Sequence, residues 1–161
     1  MDVPSTAMSY DLIFVPRGGD QSWEDALDAA EESDSAERPS SEVWARLVAA
    51  SRQVLGEVSV FEGAHNYELT HEPTGIQVSY YAEEAGITVP FWYRGDDARS
   101  VVAAMYQLGE AVQAVTGLAG YDPQLELPLS DALTQPELAC GVFDEVAASF
   151  ARRGISSPSN G

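Results

Sequence analysis

The amino-acid sequence predicts an α+β fold: helices packed on one face of a mainly antiparallel sheet, with a ferredoxin-like variant as the expected topology. Three observations lead there. A short apolar run, YDLIFV at residues 10–15, precedes two stretches with helical spacing. Several segments between Glu57 and Tyr93 alternate apolar and polar side chains in the manner of strands. A long amphipathic helix and a short apolar segment then close the pattern. With 161 residues, the chain has the size of one ordinary domain. That domain is expected over residues 8–154. Residues 1–7 read as an extension, 124–154 as an extended segment and helix packing on the domain, and 155–161 as a disordered tail.

Tyr10 to Val15 reads as a buried first strand, ended by Pro16 and the Gly18-Gly19 pair. Ser22 caps the first helix, with Asp25 three residues on, and Trp23, Ala26, Leu27 and Ala30 share its apolar face. Residues 33–41 form a polar linker. A second helix is expected from Ser41 to Leu55, its stripe made by Val43, Trp44, Leu47, Val48, Val54 and Leu55, with Gly56 at its C-cap. Glu57 to Glu62 reads as a strand, and Asn66 to His71 as another.

Ile76 to Tyr93 reads as a hairpin. A turn at Glu83 to Gly86 sets Ala82 opposite Ile87, Tyr80 opposite Val89, Val78 opposite Phe91 and Ile76 opposite Tyr93. The other face then carries Gln77, Ser79 and Tyr81 opposite Trp92, Pro90 and Thr88. Pro90 cannot donate to a ladder, so its imide side should face an edge or a bulge. A long helix follows, capped by Asp96 and ended by Gly117, with Ala98, Val101, Val102, Met105, Leu108, Val112 and Val115 on its apolar stripe. Leu118 to Tyr121 reads as a last short strand. Leu125 to Leu129 is extended, and a final helix runs from a Thr134–Glu137 capping box to about Arg153.

The charge sets limits on function. Twenty-six acids face eight bases, a net charge of −18, so phosphate backbones and anionic lipid should be repelled. No apolar run reaches the roughly 20 residues that span a bilayer, and the first seven residues lack the features of a signal peptide. The expected location is cytoplasmic. All eight bases are arginine, which removes Schiff-base lysine chemistry and a P-loop lysine. Cys140 is the single cysteine, so neither an internal disulfide nor a cysteine-rich zinc site is available.

Candidate reactive groups are few. On one continuous strand His65 and His71 would lie about 20 Å apart, too far to share a metal, so no metal or cofactor is expected. Cys140 falls near an apolar helix stripe, where an inert thiol is the simpler reading. No G-x-S-x-G elbow marks a nucleophile, Gly18-Gly19 lacks phosphate-loop spacing, and Glu83-Glu84 reads as a solvated turn. Two binding candidates remain. One is an aromatic patch on the outer hairpin face with Tyr81, Pro90 and Trp92, open unless Leu125, Leu127 and Leu129 fold over it. The other is the stretch from Asp20 to Glu37, eight acids without a base, including Asp25, Asp28, Glu31 and Glu32.

Met8-Ser9-Tyr10-Asp11-Leu12 and Gly120-Tyr121-Asp122-Pro123-Gln124 together resemble a loose group of small uncharacterised bacterial proteins. Members of that group open on a Ser-Tyr-Asp-Leu strand and end their common domain at Tyr-Asp-Pro-Gln. The resemblance spans Met8 to Gln124 and implies no assigned chemistry. The expected function is therefore a non-catalytic, acidic protein-interaction protein, in its most specific form an immunity protein against a basic toxin. The alternative is a small-molecule-binding module or small enzyme with a pocket between sheet and helices.

Overall fold

Alternate residues of the first strand, β1 (Ser9–Val15), are buried: Tyr10, Leu12 and Phe14 enter one core. The computed structural model describes residues 9–32 and 39–152. The expected extension 1–7, most of the linker and the tail 155–161 lie outside the described residues. After β1 come α1 (Trp23–Glu32), α2 (Ser41–Leu55), β2 (Ser59–Glu62), β3 (Tyr67–His71), β4 (Ile76–Tyr80), β5 (Ala85–Pro90), α3 (Gly95–Thr116), β6 (Ala119–Asp122), β7 (Leu127–Pro128), α4 (Leu129–Ala132) and α5 (Pro136–Arg152). The strands form one antiparallel seven-stranded sheet in the order β2-β3-β4-β5-β1-β6-β7. No helix among the described residues is long and apolar enough to cross a membrane.

The inward face of the sheet joins Tyr10, Leu12 and Phe14 to Leu69, Ile76, Val78, Ile87 and Val89, all nearly inaccessible to solvent. Three helices cover it. Trp44 of α2 stacks on Tyr67 and Tyr80, with ring centroids 5.3 and 6.4 Å away. Phe143 of α5 stacks on Tyr10 at 5.4 Å and meets Phe91 edge-on at 5.2 Å. Between them, α3 packs against both α2 and α5 and buries Ala98, Val102, Met105 and Leu108. Burying each large apolar side chain contributes about 1.5–3 kcal/mol, so this layer supplies the main drive to fold.

Local sequence explains the helix ends. Ser22 Oγ accepts from Asp25 N at 3.1 Å, and Ser40 Oγ accepts from Val43 N at 3.2 Å. The expected Asp96 cap differs: α3 begins at Gly95, whose N–H donates to Asp144 Oδ1 of α5 at 2.8 Å. A carboxylate brought by the fold takes the capping role. The last helix starts at Pro136, and Thr134 Oγ1 instead donates to Asp131 O.

Three further expectations change. First, α1 sits on the opposite face from the other long helices. Its Trp23 touches Tyr121 at 4.9 Å, and Tyr121 pairs with Ile13, on the far side of the sheet from the Phe14–Gly120 pair. Val15 also points that way and is fully buried, so β1 needs cover on both sides. Second, the hairpin turns at residues 81–84, closed by Tyr81 N donating to Glu84 O at 2.7 Å. Tyr80 therefore faces Ala85, and Val78 faces Ile87. The shift in pairing is an even number of residues, so each side chain keeps its expected face. The cause is β1, which pairs Phe14 with Ala85 and Ile13 with Gly86 and draws both residues into the sheet. Pro90 is tolerated in this internal strand because it is the last residue of β5. Third, Leu127 and Pro128 extend the sheet beside β6 and leave the outer face of the hairpin alone. Leu129 then enters the core over Gly120, where a Cβ would lie 2.8 Å from Phe14 and 2.9 Å from Leu129.

Candidate functional site

The two sequence tags meet in space. Asp122, fully buried at the end of β6, accepts through Oδ2 from the Tyr10 hydroxyl at 2.6 Å and the Tyr106 hydroxyl at 2.7 Å. Its Oδ1 accepts from Gln124 N at 3.1 Å and Leu125 N at 3.2 Å, closing the turn that follows. Gln124 Oε1 in turn accepts from Asp11 N at 3.1 Å. Burial pushes the Asp122 carboxyl above the usual carboxylate range, against the pull of its four hydrogen bonds. Burial and the adjoining carboxylate likewise push the Tyr10 and Tyr106 hydroxyls up. Every lone-pair direction of this carboxylate is engaged and no solvent reaches it. The cluster ties β1, α3 and β6 together, which explains why both tags carry a tyrosine or an aspartate without offering a reactive centre.

The predicted binding residues fall at the two ends of β5 and on α1. Tyr81 lies in the β4–β5 turn and Trp92 follows the other end of β5, so the strand separates them. Trp92 is 36% exposed and lies over Gly75, where a Cβ would meet its ring at 2.9 Å. That glycine also has φ +78°, a conformation a side chain would strain. Trp92, Pro90, Thr88 and Gln77 edge a shallow open groove of about 480 Å³ on the outer face. On the acidic stretch, Asp25 and Asp28 are exposed on α1. Glu31 and Glu32 end that helix, and their side chains lie outside the described residues.

A cleft of about 500 Å³ separates α1 from the β4–β5 turn. Ala26, Ala29 and Ala30 form one wall, Tyr81 and Glu84 the other, and Arg17 and Gln21 the end. The small alanines leave the space. Arg17 is held over the Trp23 ring at 4.8 Å. Partial burial pushes the Glu84 carboxyl above its ordinary range. The sequence marks Glu83-Glu84 only as a turn, and the partner wall of α1 has no local signal.

His65 lies in the β2–β3 turn and His71 at the far end of β3, where its Nδ1 is 2.6 Å from Thr74 Oγ1. No group of His, Cys, Asp and Glu among the described residues has the geometry to hold a metal ion. Burial raises the Cys140 thiol, disfavouring a reactive thiolate. The strand expected at 57–62 is present as β2, yet all four of its residues are exposed, with Val60 at 39% and Phe61 at 59%. No protein-family model, no curated protein and no solved structure matches this chain.

Proposed function

We propose that this chain is a non-catalytic, acidic interaction protein whose partner is a basic protein, with inhibition of a basic toxin by an immunity protein as the specific form. The single observation that carries it is an excess of 18 negative charges presented largely from the surface. Asp20, Glu24, Asp25, Asp28, Glu42, Glu57, Glu62 and Glu72 are all exposed. Such a field steers basic surfaces together quickly and releases them as salt rises. The strand order β4-β5-β1-β6, with α2 and α3 on one face, supports reading the core as a ferredoxin-like variant extended by β2, β3 and β7. Fold likeness of that kind carries no function by itself.

The experiment is affinity isolation from cells that express the chain, with wild type beside an Asp25→Asn, Asp28→Asn, Glu31→Gln, Glu32→Gln variant. Wild type should retain basic proteins that elute with salt, and the variant should retain less. Equal recovery from both, insensitive to salt, defeats the proposal.

The cleft between α1 and the β4–β5 turn favours a second reading, a small-molecule module, since its volume falls in the range of ligand sites. Ala29→Trp would fill that cleft. Loss of a bound metabolite with no loss of basic partners would move the assignment to this reading.

A further inference from the structure

We propose that the outer edge of β2 is a docking strand for an extended segment of the basic partner, in which arginine or lysine alternates with apolar residues. The inference rests on the basic-partner reading above and adds the place where the partner's main chain is engaged.

Among the described residues β2 is the outermost strand of the sheet, paired on one side only, with β3. The phase of its hydrogen bonds follows from one contact. Gly63 N donates to Asn66 O at 2.8 Å, so that opposed pair is a hydrogen-bonded one. Bonded and non-bonded pairs alternate along an antiparallel ladder. Phe61–Glu68 and Ser59–Thr70 are then bonded pairs, and Glu62–Tyr67 and Val60–Leu69 are non-bonded ones. The N–H and C=O groups of Val60 and Glu62 therefore point outward, away from β3. An open edge with its main-chain groups presented in this way is a template for another strand.

The side chains select the occupant. Val60 lies on the face of Leu69 and Phe61 on the face of Glu68, by pairing. Both are large, apolar and exposed. On the Phe61 face, Glu72 Oε2 accepts from Ser59 Oγ at 3.4 Å, and Glu68 holds the Asn66 amide at 3.1 Å. An added strand would set apolar residues beside Val60 on one face. On the other, a guanidinium would lie over Phe61 and near Glu68 and Glu72. A second copy of this chain would bring its own acid-rich edge, with Glu57, Glu62, Glu68 and Glu72, beside this one and is disfavoured by like charge.

The test uses the whole chain and an acetylated, amidated Arg-Val-Arg-Val-Arg-Val-Arg peptide. Its comparison probes are the same peptide N-methylated at alternate residues, a Glu-Val counterpart, and a folded basic protein. Val60→Pro removes an outward N–H and leaves the β2–β3 bonds in place. The arginine peptide should bind wild type, bind Val60→Pro about tenfold more weakly, and lose binding when N-methylated; the acidic peptide should not bind. N-methylation acts on the ligand, so it decides the matter even if the variant folds poorly. Equal binding of the plain and N-methylated peptides overturns strand addition and leaves the basic-partner reading intact. Binding of the folded basic protein alone does the same. No binding of either basic probe defeats both. Self-association that Val60→Pro abolishes would identify the occupant as a second copy and also overturn the proposal.

Discussion

Asp122→Ala should be among the most damaging single substitutions in the chain. The carboxylate accepts four hydrogen bonds, two of them from tyrosine hydroxyls at 2.6 and 2.7 Å. Tyr10 is inaccessible and Tyr106 only 5% exposed, so water cannot replace the lost acceptor without opening the core. Each buried hydroxyl left without a partner costs about 1–3 kcal/mol. The two turn N–H groups can reach solvent and add less. A total loss of about 3–5 kcal/mol follows, a large part of the roughly 5–15 kcal/mol that holds an ordinary domain folded. Tyr10→Phe removes one donor and leaves the carboxylate three, so its cost should be about 1–2 kcal/mol. The mechanism also predicts non-additivity. In the Asp122→Ala background, adding Tyr10→Phe and Tyr106→Phe removes the stranded hydroxyls and should recover about 2 kcal/mol. Urea unfolding followed by tryptophan fluorescence and circular dichroism measures all of these. An Asp122→Ala protein within about 1 kcal/mol of wild type, or a triple variant less stable than the single one, would refute the reasoning.

Other outcomes follow from the same geometry. Tyr10, Tyr80, Tyr93 and Tyr106 have hydroxyls raised by burial, so their stabilising contribution is complete below the ordinary tyrosine range and declines as pH rises above it. Alkaline titration should show most tyrosinate absorbance appearing together with loss of circular dichroism; ionisation of these groups in a fully folded chain would contradict their burial. Glu84 is raised by partial burial, so its charged form opposes folding once pH exceeds its ordinary value. Glu84→Gln should hold or raise the melting temperature at neutral pH, and a clear drop would assign the carboxylate a supporting partner. Gly120→Ala places a methyl 2.8 Å from Phe14 and 2.9 Å from Leu129, and calorimetry should register a loss of about 1–3 kcal/mol.

The sequence made most elements legible because their patterns are local. Apolar spacing located α2 and α3, and Ser22 marked the start of α1 through a hydroxyl that caps its first turn. The inward set Tyr10, Val78, Tyr80, Ile87 and Val89 was readable from alternation alone. The hairpin turn was not, because β1 competes for the same residues from the other side. A pairing shift by an even number of residues left the core composition untouched, so the pattern could not register the difference. The face occupied by α1 depends on contact between Trp23 and Tyr121, nearly a hundred residues apart in sequence, and no local rule reports it.

The site was less legible for the same reason. Acid density was visible in the composition, but where the acids stand relative to an open edge is a property of strand order. Alternation at 57–62 predicts a half-buried strand, since it cannot tell an inner strand from an outermost one. Among the described residues β2 has no outer neighbour, and Val60 and Phe61 stay exposed. The expected outer face sets Tyr81 opposite Thr88 and Trp92 opposite Gln77, whereas in the sheet Thr88 pairs with Gln77 and Tyr81 lies in the turn. Asp122 was visible only as part of a tag. Its partners come from β1 and α3, which no spacing in the sequence connects.

Amide hydrogen exchange resolved to single residues tests the central claim most directly. With the arginine–valine peptide bound, the Val60 and Glu62 amides should slow sharply while Phe61, already paired with β3, changes little. Slowing confined to α1, or none along β2, would contradict a partner strand at this edge.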